Sequence, residues 1–565
     1  MLITKNNLII SQFLLVLLLL VAPFYLHPNI GGLGFGIPIN SAEWLVALIF
    51  ICFVLFITIR GKTIAYNLGW IYCLAFPMVL IFVGIMSEVP QPIVWLFRQL
   101  YLLGGYLFLF SLFQLKLTTR HIEQLLYIVV VATFIHSLVG ICQLWNVSFL
   151  GIWLPRTPNS FPNGVFQQVN LQATYLTTGL LIILFLISRP SFKHARFVTK
   201  FLFITTFFIA IYVLVSSGSR IGVLSFVVGG TLMLLSRRRQ LLRQKSILLI
   251  LCITTTLAII AGQAGLNRAV DKTKQLTAGE FSTARQVIYS ISLDLIRQKP
   301  IFGYGIGSFP RVWTDKVALF SAQHSDVNLP QGAALSHPHN EVLFWMIEGG
   351  TISVVGLLII FYVITVALFR CGFERGGAYA ALLLPISLHT QVELPFYISS
   401  VHWFLWLFLI FMVFRHQLKV VSLNISLMIR GFIQSSIVLI GFSGVAMLVH
   451  IEKSQNEIFK YTSGVGGNLQ VALHDLYFNS FAEKIMMQTL LYSSIEKQNK
   501  TPIHDFVMWA EGRLAVNAEP GMFIMLNDAY GFIGDTRNQC RIAKQGLQVY
   551  PDNARLQKTL DNCNK

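Results

Sequence analysis

SHPHNEVLFWMIEGG, residues 336–350, marks the point where a long polar loop gives way to an apolar helix, and the reading of the chain turns on it. Asn340 is a good first cap, because its side chain accepts an orphan backbone N–H, and His337 and His339 stand beside it. Titratable groups are therefore expected where water meets lipid. Glu341 and Glu348 fall on one helix face, which puts Glu348 roughly 10 Å further along the axis. A carboxylate at that depth costs about 2.5–3.5 kcal/mol to insert, so Glu348 is either paired structurally or part of a site.

The 565 residues are 55% hydrophobic, and a mean hydropathy of +0.67 excludes a soluble multidomain protein. Apolar runs recur from end to end and predict an all-α polytopic membrane protein. About thirteen transmembrane helices are expected, at 8–26, 43–59, 64–86, 93–115, 122–145, 171–188, 201–217, 220–236, 246–262, 340–369, 377–391, 397–414 and 431–451. The first follows Lys5 but has no small-residue cleavage site, so it reads as a retained helix. The formal charge of +18 comes from basic residues scattered between spans as topology signals, and no nucleic-acid module is visible. Those residues, among them Arg60, Arg120, Lys200, Arg239, Arg370 and Arg430, fall on the same side as Lys5. The short opposite loops, 27–42 and 87–92, contain no Lys or Arg. This positive-inside pattern places the amino end in the cytoplasm, and an odd span count puts the carboxyl end outside.

Three polar segments then collect on the outer side: 146–170, 263–339 and the tail after about residue 452. Within the second, Ser282 is the expected cap of a helix carrying Arg285 in its first turn and Val287, Ile288, Ile291, Leu295 and Ile296 at helical spacing, stopped by Lys299 and Pro300. GYGIG, 303–307, has no strand before it and reads as a turn. In the tail, 527–553 is patterned like one tetratricopeptide-type helix pair. The expected domains are thus 1–452, a membrane domain containing the loop 263–339, and 453–565, a small helical (TPR-like) region. Cys540 and Cys563 lie in that tail and can form a disulfide if it is outside the cytoplasm, whereas the other cysteines read as buried apolar side chains. No zinc-type spacing and no D-x-D occur, and Asp326 is isolated, so no metal is expected.

Arg220, in SSGSR at 216–220, is a basic residue on the outer side that the positive-inside rule does not explain. A guanidinium in a Gly/Ser turn suits a diphosphate, the alternative being an arginine snorkelling to lipid headgroups. Arg285 at a helix amino end adds a second candidate, and Arg98 a third. Such groups stabilise the charge that builds on a diphosphate as its bond to sugar C1 breaks. A histidine is the suitable general base for an acceptor hydroxyl, with His339 preferred and His337 as the fallback. Gln168 and Asn170 offer amides to sugar or phosphate, and His389, Glu393 and Tyr397 recur every four positions, on one face if helical before Pro395 interrupts.

Taken in order, Q-V-N (168–170), S-G-S-R (217–220), A-R-x(3)-Y (284–289) with P-I-F-G-Y-G-I-G (300–307), and H-x-H-N-E (337–341) ahead of I-E-G-G (347–350) resemble the O-antigen ligase and polymerase superfamily. The H-x(3)-E-L-P-F-Y segment (389–397) and the polar tail are more similar to its protein O-oligosaccharyltransferase branch, the pilin glycosylation ligase type. That branch often has E-Y-P-L where this chain has E-L-P-F. The resemblance implies a GT-C-like glycosyltransferase of the bacterial inner membrane with a long periplasmic loop. It implies transfer of a preassembled glycan from an undecaprenyl-diphosphate-linked donor to Ser or Thr of a periplasmic acceptor protein such as pilin, without metal or nucleotide cofactor. Carried over by position, it makes His339 the essential histidine, Arg220 and Arg285 the diphosphate contacts, and Gln168 and Tyr397 supporting residues. The same chemistry on lipid A core or on a growing glycan is the near alternative. A lipid-linked sugar transporter is the distant one, and the chain shows no internal repeat of the kind many transporters have.

Overall fold

Lipid offers the backbone no water to bond, so segments that cross it satisfy their own N–H and C=O groups as helices. The computed structural model describes residues 4–27, 30–61, 63–147, 161–276, 284–323 and 335–563. Every expected span overlaps helix. Among the described residues, ten helices are long and apolar enough to cross a membrane: Lys5–Phe24, Pro38–Arg60, Leu68–Met86, Pro92–Gln114, Thr119–Leu144, Val169–Ile187, Phe197–Ser217, Arg238–Ala261, Glu341–Arg370 and Leu427–Thr462. The other three expected spans are shorter, with 17 residues in Arg220–Ser236, 17 in Phe373–His389 and 15 in Ser400–Phe414. Ser400–Phe414 is apolar all round because protein surrounds it, every residue but Trp406 being buried. One small antiparallel sheet was not expected: Thr63–Tyr66 pairs with Lys419–Ser422, Thr63 opposite Ser422. It takes the first residues of the expected span 64–86, and the helix starts at Leu68 behind the cap Asn67.

The chain divides into two compact units. The first comprises Met1–Ala75, Tyr101–Lys274 and Leu358–Phe459. Its centre is Val169–Ile187, buried throughout from Leu171 onward. Thr119–Leu144, Phe197–Ser217, Arg220–Ser236 and Phe373–His389 pack around it.

The second comprises Phe76–Leu100, Gln275–Leu357 and Lys460–Lys565. The loop expected at 263–339 is largely helical in its described residues: Gln263–Leu276 falls almost wholly in the first unit, and Ala284–Gln298 and Phe309–Gln323 in the second. Ala284–Gln298 buries the five apolar residues expected of it. Ser282 and Asp326 lie outside the described residues. Phe309–Gln323 packs on the carboxyl-terminal helices, where Arg311 Nη1 donates to the Leu514 carbonyl (2.7 Å). Those helices, Asn479–Glu496, Thr501–Val516, Pro520–Ile533, Thr536–Val549 and Ala554–Cys563, share a core that includes Phe506, Leu526, Ile542 and Leu556. Pro520–Ile533 and Thr536–Val549, joined through left-handed Gly534, form the helix pair read in 527–553. Cys540 and Cys563 form a disulfide with Cα atoms 6.0 Å apart.

Candidate functional site

In the second unit, Glu341–Arg370 starts where the sequence places it, with Asn340 Oδ1 accepting the Leu343 N–H (3.0 Å). Immediately before it, His339 adopts a left-handed φ of 53° and donates its N–H to His337 Nδ1 (3.2 Å). The two rings meet edge to face, centroids 4.7 Å apart. Because Nδ1 accepts in this bond, that nitrogen carries no proton here. His337 is buried and His339 half-buried. The His339 carbonyl accepts from the Tyr289 hydroxyl (3.5 Å), so the A-R-x(3)-Y helix reaches the histidines, and Arg285 shares the Tyr289 face one turn earlier.

Nine residues further on, the helix breaks. Gly350 has φ 66° and ψ −170°. In an unbroken helix the Thr351 and Ile352 N–H groups bond the carbonyls of Ile347 and Glu348. Here Thr351 donates to the Pro300 carbonyl (2.8 Å) and Ile352 to that of Ile301 (3.4 Å), while the released carbonyls accept from Tyr304 (2.9 Å) and Gly305 (2.9 Å). PIFGYGIG is therefore more than a turn: it splints a broken helix and satisfies all four displaced backbone groups. Burial also holds the Tyr304 phenol above its ordinary pKa, and its hydroxyl donates to Gln298 Oε1 (2.8 Å).

Glu348 is fully buried just before the break. Its Oε2 pairs with Arg98, and its Oε1 accepts the Phe309 N–H (3.2 Å). The Arg98 guanidinium lies over the rings of Phe344 (4.8 Å) and Trp345 (5.6 Å). Trp345 Nε1 in turn donates to Glu341 Oε2 (3.0 Å). Two of the expected site residues thus neutralise each other beside the splint.

In the first unit, one face of Val169–Ile187 gathers three of the motifs. Asn170 Oδ1 accepts the Ser219 hydroxyl (2.8 Å), Thr174 Oγ1 lies 2.9 Å from His389 Nδ1, and Thr177 Oγ1 donates to the Gly222 carbonyl (3.2 Å). Ser219 also caps Arg220–Ser236 by accepting the Gly222 N–H (3.3 Å), which fixes half-buried Arg220 as its first residue. Gln168, also half-buried, is the residue before Val169–Ile187. The helix carrying His389 ends there, so Glu393 and Tyr397 do not continue its face. Glu393 is buried in the following turn, its N–H on the His389 carbonyl (3.0 Å), and half-buried Tyr397 belongs to a separate short helix, Pro395–Ile398.

Sequence reading passed over several buried ionisable residues of this unit, Glu43, His136 and His402 among them. Neither carboxylate oxygen of Glu43 and neither ring nitrogen of His136 has a hydrogen-bond partner among the described residues. His136 is packed between the rings of Phe24, Phe166 and Tyr175. His402 bridges Ser399 Oγ (2.8 Å) and the Leu171 carbonyl (3.0 Å). An ionisable group within an apolar run is itself a signal. Glu43 was hidden because it opened the expected span 43–59, whereas the helix begins at Pro38 and carries it inside.

Residues 205–361 match the family model described as O-antigen ligase, and residues 378–562 match the one described as virulence factor membrane-bound polymerase, C-terminal. The first stretch contains Arg220, Arg285, His337, His339 and Glu348, and the second His389, Glu393, Tyr397 and the terminal helices. No curated protein matches the chain.

Proposed function

We propose that this chain, which belongs to the O-antigen ligase superfamily, transfers a preassembled oligosaccharide from undecaprenyl diphosphate to Ser or Thr hydroxyls of periplasmic proteins such as pilin. His339 removes the proton of the acceptor hydroxyl as its oxygen attacks sugar C1. The C1–O bond to the diphosphate breaks, and the electron pair leaves with the diphosphate. Arg220 and Arg285 meet that growing charge, a task guanidinium forks suit without a metal. His337 positions the base, since its ring holds the backbone of His339 in a left-handed conformation. Gln168, Asn170, His389, Glu393 and Tyr397 support the donor side.

The observation that carries this reading is the His337–His339 pair at the helix start, tied to the Arg285 helix through Tyr289. A bacterial inner-membrane location with the amino end in the cytoplasm and the tail in the periplasm is supported by the one-sided basic clusters and by the Cys540–Cys563 disulfide, a bond typical of oxidising compartments. The polymerase description of the second match favours a second acceptor class, a growing glycan, with lipid A core as a further option.

Purified protein with lipid-linked donor and pilin tests the proposal, read by mass spectrometry of acceptor peptides. His339→Ala is expected to lower kcat by about 10²–10⁴-fold. His337→Asn, which keeps an acceptor near the Nδ1 position, retains more activity than His337→Ala. Unchanged pilin glycosylation in His339→Ala cells overturns the reading. Loss of O-antigen alone in a deletion strain assigns the lipid A core or glycan acceptor, and absence of any glycosylated product leaves the transporter class.

A further inference from the structure

The turn 216–220 has a second arginine beside it. Phe197–Ser217 ends in left-handed Gly218 (φ 67°), and Arg220 begins the next helix. Gln263–Leu276 packs against this corner at Gly265, where a Cβ would collide with the Val215 carbonyl. With no side chain between the two backbones, Arg268, one turn later on the same face, is brought onto the turn. Its Nη2 donates to the Ser216 carbonyl (2.7 Å), and its guanidinium stands 5.3 Å from the Phe161 ring. Ser216, Ser217 and Ser219 are all buried, whereas Arg268 is exposed.

A guanidinium carries five N–H groups, and the Ser216 bond uses one. No carboxylate among the described residues forms an ion pair with Arg268. The contacts to Ser216 and Phe161 set the plane of the fork, which lowers the entropy lost when it closes on an anion. Two cations from separate helices therefore flank one Gly/Ser turn.

We propose that Arg268 is a further contact for the donor's diphosphate, acting on the same group as Arg220. The proposal rests on the reading of Arg220 as a diphosphate contact. Phosphate also arrives as phospholipid headgroups, so the test separates the two sources.

Full-length protein in nanodiscs is titrated with undecaprenyl diphosphate, and the donor KM and kcat are measured for Arg268→Lys, Arg268→Gln and Arg220→Ala. Lysine keeps the charge, whereas glutamine keeps a donor for the Ser216 carbonyl and loses the charge. Arg268→Gln is expected to weaken undecaprenyl diphosphate binding and lower kcat/KM for the donor about tenfold or more, with the thermal midpoint little changed. Arg268→Lys recovers most of the loss, and phosphatidylglycerol does not compete. Wild-type affinity in Arg268→Gln beside lost affinity in Arg220→Ala overturns the inference alone. Equal competition by phosphatidylglycerol assigns Arg268 to headgroups and overturns it too. If the wild-type protein binds no undecaprenyl diphosphate, the reading of Arg220 falls and the inference with it.

Discussion

At Glu348 both carboxylate oxygens are already engaged, one by Arg98 and one by the Phe309 N–H. Removing the acid strands a cation in a largely buried position. Glu348→Ala is therefore expected to destabilise the protein by about 3–5 kcal/mol, and the Arg98→Ala, Glu348→Ala double variant by less than the sum of the singles, as read by unfolding in detergent. The sequence gives the cost of Glu348 directly, as an acid deep in an apolar run. It does not give the partner, because Arg98 lies 250 positions away and no periodicity links the two. His416 belongs to the same scale. Burial, then Arg375 and Arg415, push its pKa from 6.5 down to about 4, and its Nδ1 faces Arg375 Nη1 (3.4 Å) while its Nε2 faces the Tyr379 hydroxyl (3.1 Å). Below pH 6.5 the unfolded chain takes up a proton that the folded ring refuses. The stability from the neutral ring is thus fully present above that pH and is lost as pH falls towards 4. Thermal midpoints of the wild type and His416→Gln should diverge over that window, the wild type losing more.

At the scale of elements, the break in Glu341–Arg370 and the PIFGYGIG splint are one device. A helix interrupted beside apolar surroundings leaves backbone groups that must be paired, and the loop supplies partners for four of them. Gly350 is required twice, for its backbone conformation and for the approach of the Ile301 carbonyl. Gly350→Ala is expected to cost more than about 2 kcal/mol in detergent unfolding, and Gly464→Ala only about 1 kcal/mol, because Gly464 is also left-handed but has open space around it. Equal effects would show that the splint contributes nothing beyond backbone strain. In sequence the segment reads as glycine punctuation, since turns and splints share a composition. The face of Val169–Ile187 is a second such case. Asn170 stood out as an amide in a loop, but its bond to Ser219 and the Thr174–His389 contact appear only once three helices are packed.

For the whole molecule, the position of the apolar helical segments follows from composition, while the environment of each does not. Val169–Ile187 and Ser400–Phe414 are as apolar as helices that face outward, yet protein encloses both. The terminal helices are closed by the Cys540–Cys563 disulfide across a sequence separation of 23. Replacing both cysteines with serine should lower the stability of that region by about 3 kcal/mol, seen as earlier proteolysis of the tail, and thiol labelling of the native protein should leave both residues unmodified. The sequence by itself determined the all-α membrane character, the thirteen helical segments and the order of the motifs. An apolar run of span length has no alternative to a helix in lipid, and caps and glycines act within a few residues of themselves. Tertiary structure alone decided which polar groups inside those helices are matched. It paired Glu348 with Arg98, set Arg268 against the 216–220 turn, and left Glu43 and His136 buried without a hydrogen-bond partner among the described residues. Such pairings depend on how distant segments pack, and a residue's sequence neighbours carry no record of what the fold places against it.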